Sequence, residues 1–286
     1  MSLPRVTLAI PTWNGAAFLA ETLASALGQT LREIEVLVAD DASSDQGLAI
    51  ARSFDDPRLR VTSATRRLGI PAHWNRCLAE ARAEQVLLLC QDDLLDPRAL
   101  ERLAAALEAC PGASVAFGRR EIRHEDSALP LRGDTYARVL EAFYASFRDR
   151  LTGLELVEGI LARGADPTVN LVGEPSFVLL RREALRRSGG FDPALRQLVD
   201  WDLWLRLARL GPLAFVDARL GVFRVHAGGA SAANQGRLRT RLEFLRVLAR
   251  IREEYGAELS PGALRQLRRE EWRCRRHYVG GLLGIS

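Results

Sequence analysis

Short apolar runs and helix-spaced apolar positions alternate along residues 1–118. Runs of mainly apolar residues occupy 5–10, 33–39, 86–90 and 113–117, and a further strand is expected at 58–62. Runs of this kind, without strict polar alternation, suit strands buried on both faces. Between them, apolar residues at helical spacing, such as Phe18, Leu19, Leu23 and Leu27, predict helices over 16–27, about 46–54, 71–83 and 97–109. Asn14, Ser44 or Asp45, and Asp96 before Pro97 are the expected N-caps. Strand and helix alternating through short connections predict an α/β fold: a Rossmann-like, mostly parallel sheet flanked by helices.

From Gly118 the pattern changes. Residues 119–135 are charged and irregular, with room for a pair of short strands; 136–147 and 154–161 have helical spacing, 165–173 a loop composition, and 174–180 a strand pattern. Ser188-Gly-Gly-Phe-Asp192 predicts a tight turn. Residues 199–208 predict an amphipathic helix with Asp200 at its N-cap, followed by short strands at 213–216 and 221–225. An arginine-rich helix starts near Gln235, breaks at Pro261-Gly262, and a second runs to about His277. The expected organisation is one domain over 1–231, with halves 1–118 and 119–231, and a helical extension over 232–286.

Composition adds limits. The chain has 286 residues, 48% of them hydrophobic, enough for the core of one large domain or slightly more. All 40 basic residues are arginine and the net charge is +4. Arginine suits bidentate phosphate contacts, but abundant Ala and Leu beside it point to a compositional bias. Interleaving of arginines with acids argues against a nucleic-acid partner. Cys77, Cys90, Cys110 and Cys274 show no CxxC spacing, so neither a zinc site nor a disulfide framework is expected, and reduced cytoplasmic thiols fit. No signal-peptide pattern opens the chain and no apolar run approaches the roughly 20 residues that span a bilayer. The expectation is a cytoplasmic protein, soluble or peripheral to a membrane.

Candidate chemistry clusters just beyond the predicted strands, the edge where open α/β sheets bind ligands. Pro11-Thr-Trp-Asn-Gly15 offers Trp13 to a flat base and backbone N–H groups to phosphate, unless Trp13 packs in the core. Asp40-Asp41-Ala-Ser-Ser-Asp45 either forms a turn or accepts from a base N–H or ribose hydroxyl. Asp92-Asp93 places two like charges together, which suits a divalent cation bridging phosphate oxygens; otherwise Asp92 caps a turn and Asp93 is solvated. No GxGxxG follows the first strand and no Walker A sequence occurs.

These stations, in order with Gly189-Gly-Phe-Asp192, Asp200-Trp-Asp-Leu-Trp-Leu-Arg206 and Arg224-Val-His226, resemble the family 2 glycosyltransferases of the GT-A fold over roughly residues 5–231. The resemblance implies an inverting enzyme that uses a nucleotide-diphospho-sugar, preferably of uridine, and Mn2+ or Mg2+. It places Pro11 and Trp13 at the nucleobase, Trp13 standing where tyrosine is usual. Asp41, with Asp40, would read the base; Arg67 and Asn75 fall at nucleotide contacts; Asp92 lies near the ribose. Asp93 would hold the metal, His226 would add a metal contact, and Asp200 would be the catalytic base. The implied acceptor is a hydroxyl of a glycan, a lipid-linked sugar or a protein, in glycan or polysaccharide synthesis. Two positions depart from the pattern: Cys90 stands where many members have aspartate, and Glu84 where glycine is common. Cys90 motivates an alternative, a non-catalytic nucleotide-sugar-binding protein with a degenerate acidic motif. A sugar-1-phosphate nucleotidyltransferase would want a glycine-rich basic loop after strand one, which is missing. For the C-terminal helices, with Trp272 among arginines, the expectations are packing on the catalytic domain, a homodimer contact, or peripheral contact with the inner face of the membrane.

Overall fold

The computed structural model describes residues 3–125, 133–166, 169–229 and 237–282. In chain order the elements are β1 (Val6–Thr12), α1 (Leu19–Leu27), β2 (Ile34–Asp40), α2 (Gly47–Arg52), β3 (Leu59–Ser63), α3 (Ile70–Glu80), β4 (Gln85–Leu88), β5 (Leu94–Leu95), α4 (Ala99–Ala109) and β6 (Val115–His124). There follow α5 (Gly133–Tyr144), β7 (Arg150–Leu151), α6 (Gly153–Ala162), a 3-10 turn (Pro175–Phe177), β8 (Val178–Arg181), α7 (Arg182–Ser188), α8 (Val199–Leu210), β9 (Leu213–Val225), α9 (Arg237–Tyr255) and α10 (Pro261–Leu282).

The strands form one sheet in the order β3-β2-β1-β4-β8-β6-β9-β5, with β7 also on β9. β3, β2, β1 and β4 are mutually parallel, β8 lies antiparallel between β4 and β6, and β6 runs parallel to β9. Every residue of β1 and β2 is buried, which accounts for their unbroken apolar runs. Alternate residues face opposite cores: Leu37 and Ala39 join one cluster, Val36 and Val38 the other.

Several boundaries differ from expectation. α1 starts at Leu19 rather than near 16, because Asn14 adopts a left-handed φ of 50° and accepts a bond from Ser44 N at 2.8 Å instead of capping the helix. Of the irregular stretch after Gly118, residues 119–124 continue β6, 126–132 lie outside the described residues and 133–135 open α5, while the two short strands at 213–225 are one strand, β9. Charged residues there sit on a half-exposed ribbon, where Arg119–Asp217 and Arg219–Glu121 pair across the strands. Their charge disguised a strand as a loop. The C-terminal helices are packed into the fold: Val247, Leu248, Ile251, Tyr255 and Leu267 share a core with Leu203, Trp204 and Leu207 of α8.

Candidate functional site

The first parts of the site hang on the carboxyl ends of β1 and β2. Pro11 is buried within β1, opposite Ala39. Trp13, one residue beyond the strand, is 38% exposed. Gln91 pins it, accepting from Trp13 N and Thr12 Oγ1 at 2.8 Å each and donating to Trp13 O at 3.2 Å. The Arg67 guanidinium lies 3.4 Å from the centroid of the Trp13 ring, a cation–π stack. Asp41 shapes the loop that carries Arg67: its two oxygens accept from Leu68 N at 2.7 Å and Gly69 N at 3.0 Å. Asp40 accepts from Ser63 Oγ at 2.7 Å and from Ser43 N. Below them, His73 Nε2 donates to Ala39 O at 2.9 Å, and burial lowers the ring's pKa, so it is held neutral. Asn75 grips Phe191 N and O at 2.8 Å each, closing the turn at Gly189 and Gly190, whose φ angles are 79° and 74°. Trp13 and Arg67 are therefore together and accessible, whereas Asp40, Asp41 and Asn75 hold backbone.

The acidic motif follows β4. A turn closed by Asp93 N donating to Cys90 O carries Asp93 inward. Asp93 is 0% exposed; it accepts from Ser176 Oγ at 2.5 Å and from Arg224 N at 3.0 Å. Burial and the neighbouring Asp92 charge raise its pKa well above the carboxylate range. This corrects the expectation that Asp93 holds the metal: the side chain is sealed, and both oxygens are engaged. Asp92 is the open carboxylate. Its Oδ2 lies 3.0 Å from His226 Nε2, both groups are half-buried, and this contact raises the His226 pKa. A divalent cation held by this pair would replace the hydrogen bond between them and would need the imidazole in its neutral form. Among the described residues, no group of three or more His, Cys, Asp or Glu could hold a metal ion. Cys90, half-buried beside this turn, has its thiol pKa pushed well up by desolvation and donates its N–H to Ser176 Oγ at 3.0 Å.

Asp200 lies in the first turn of α8, not at its N-cap, which Leu198 occupies. Glu243 of α9 binds the turn that leads into the helix, accepting from Arg196, Gln197 and Leu198 N at 2.9, 2.8 and 3.1 Å. Asn170 Nδ2 donates to its Oδ2 at 2.7 Å and Trp201 N to its Oδ1 at 2.8 Å. Burial, and then the Glu174 charge, raise its pKa to about 7. Glu174 pairs at 2.6 Å with Arg120, whose buried guanidinium also donates to Tyr144 Oη at 2.7 Å, Tyr136 Oη at 2.8 Å and Asn170 O at 2.9 Å. One short segment, 170–176, thus ties the Asp200 end to the acidic motif through Asn170 and Ser176. The sequence offered no signal for Gln91, Arg120, Asn170, Ser176 or Glu243, because the bonds that tie them to the site run to Trp13, Asn170, Asp200, Asp93 and Leu198, each 30 or more residues away.

A mixed sheet with a carboxylate–imidazole pair and a poised aspartate along one edge defines a GT-A glycosyltransferase. The Glycosyl transferase family 2 model matches residues 7–189, and the chain belongs to this family. Uncharacterized protein MT1568 of Mycobacterium tuberculosis is 34% identical over 92% of this chain and 79% of its own length. Succinoglycan biosynthesis protein ExoO of Rhizobium meliloti is 26% identical over 80% of this chain and 63% of its own. The chain thus spans less than two thirds of that second relative. S. aureus TarS 1-349, solved with UDP-GlcNAc, superposes with a TM-score of 0.68 at 18% identity, covering 96% of this chain and 73% of that one. The mannosyltransferase PcManGT of Pyrobaculum calidifontis, solved with GDP-Man and Mn2+, gives 0.64 at 22% identity, covering 95% and 70%. At these identities the two structures establish the fold.

Proposed function

We propose that the protein transfers a sugar, with inversion, from a nucleotide-diphospho-sugar to an acceptor hydroxyl, with Asp200 as general base. The observation that carries this is the Asp200 carboxylate, oriented by two donors and with a pKa raised to about 7. A general base works best when its pKa lies near the working pH. Asp200 takes the acceptor proton as its oxygen attacks the anomeric carbon, and the nucleoside diphosphate leaves from the opposite side, so one base suffices.

Trp13 stacks the base, displacing Arg67, which then faces the phosphates. Pro11, Asp40, Asp41 and Asn75 act by fixing the loops around the nucleotide. Asp92 and His226 would hold Mn2+ or Mg2+, which neutralises charge on the leaving diphosphate. Support for a metal-assisted donor comes from PcManGT, solved with GDP-Man and Mn2+; UDP is the preferred nucleotide, in line with TarS solved with UDP-GlcNAc. The name of ExoO supports a growing surface glycan, free or lipid-linked, as acceptor.

We place the reaction in the cytoplasm, at the inner face of the membrane. Among the described residues no helix is long and apolar enough to cross a bilayer. The outer face of α10, however, surrounds Trp272, 60% exposed, with Arg265, Arg268, Arg269 and Arg276, all exposed. Basic side chains around an interfacial tryptophan suit anionic headgroups. Co-flotation with anionic vesicles, lost in Trp272→Ala, is expected; no flotation would remove the membrane from the proposal.

The decisive test is Asp200→Asn in a screen of UDP- and GDP-sugars. Loss of turnover with donor binding retained is expected. A nucleotide-sugar-binding protein without catalysis would show binding in both forms and turnover in neither.

A further inference from the structure

Asn170 sits 8% exposed between two elements, and its amide has one chemically allowed orientation. Its Oδ1 accepts from Gly173 N at 3.0 Å, and its Nδ2 donates both to Gly173 O at 2.8 Å and to Asp200 Oδ2 at 2.7 Å. A flipped amide would set oxygen against two acceptors and NH2 against a donor. The NH2 group is therefore locked toward the carboxylate. The clamp is anchored in turn: Trp204 Nε1 donates to Gly173 O at 2.9 Å, and Arg120 donates to the Asn170 carbonyl at 2.9 Å. With Trp201 N on the other oxygen, Asp200 is held at two points and cannot swing about its own bond.

We propose that Asn170 is the positioning residue of Asp200, fixing which lone pairs of the carboxylate face the acceptor hydroxyl. This rests on Asp200 being the proton acceptor and names the group that makes it one. A donor to the ionised form favours that form, so Asn170 opposes the burial and the Glu174 charge that push the Asp200 pKa up. The other charged groups nearby have partners of their own. Glu174 is paired with Arg120, which Tyr136 and Tyr144 also contact; Asp202 is paired with Arg206 and Arg250; Glu243 is engaged by backbone N–H groups. Among these, the Asn170 bond is the side-chain contact that reaches Asp200 directly.

The test is a carbon-13 titration of the Asp200 carboxyl, assigned by its disappearance in Asp200→Asn, in wild type, Asn170→Ala and Asn170→Asp. Asn170→Asp keeps the size of the side chain and the acceptor for Gly173 N, so it guards against misfolding of the alanine variant. In the alanine variant the midpoint is expected to rise by about one unit; in the aspartate variant the carboxyl pair shares a proton, and its upper midpoint rises further. A one-unit rise alone cuts the ionised fraction at pH 7 roughly fivefold. With a nucleotide-sugar that wild type turns over, kcat should fall at least that much while the donor KM stays within about twofold. An unmoved midpoint in both folded variants overturns the positioning role and leaves the general-base proposal standing. Full turnover by Asp200→Asn overturns the general-base proposal, and the role of Asn170 with it.

Discussion

Asp200 shows how one residue can be both destabilising and useful. Its pKa is raised in the folded state, to about 7 from 3.8, so the folded protein binds that proton more tightly than the unfolded chain. Stability from this group is complete below pH about 4 and is lost as pH rises through about 7. Activity is expected to run the other way, since Asp200 as the proposed base must be ionised. The turnover of wild type is therefore expected to climb through pH 6–8 to a plateau, while Asp200→Asn, inactive, melts at a higher temperature than wild type at pH 8. A pH-rate profile and thermal melts check both. The two adjacent aspartates divide similarly. Asp92→Asn should abolish metal-dependent nucleotide binding and leave the melting temperature almost unchanged. Asp93→Ala strands the Ser176 hydroxyl and Arg224 N–H, at about 1–3 kcal/mol for each, and should show first as a lower melting temperature. The residue pattern located the acidic motif but could not tell the open carboxylate from the sealed one, because that depends on a turn and on partners 83 and 131 residues away.

Among elements, α8 and α9 belong together. Glu243 serves three N–H groups of the turn that leads into α8, and its negative charge suits the helix N-terminus. Arg250 pairs with Asp202 at 2.7 Å, and Tyr255 Oη donates to Leu205 O at 2.9 Å. Glu243→Ala is expected to cost about 1.5–3 kcal/mol, the range for hydrogen bonds to a charged group, and to lower kcat with nucleotide affinity preserved; denaturant unfolding and calorimetry separate the two effects. The parallel half of the sheet was legible, because β1, β2 and β4 are buried on both sides and their apolar runs say so. β6 and β9 were not, because cross-strand ion pairs let charged residues occupy strand positions. The start of α8 was legible only in part: Asp200 does accept a first-turn N–H, from Trp201, but it does so from inside the helix, and the N–H groups just before it go to Glu243 of α9.

At the scale of the molecule, the parallel strands deliver Trp13 and the acidic motif to one edge, and the inserted antiparallel β8 joins them to the half that carries Asp200. The segment 170–176 couples the two halves, with Asn170 on Asp200 and Ser176 on Asp93. The order of the polar stations along the chain revealed this edge; the coupling segment contains no such signature. The central claim is that the edge binds a nucleoside diphosphate with a metal held by Asp92 and His226. Calorimetric titration with UDP, with and without Mn2+, on wild type and Asp92→Asn addresses it directly. Binding by wild type that needs Mn2+ and is lost in a folded Asp92→Asn is the expected result. Silence toward UDP, GDP and dTDP in the presence of Mn2+, or equal binding by the two proteins, would contradict it.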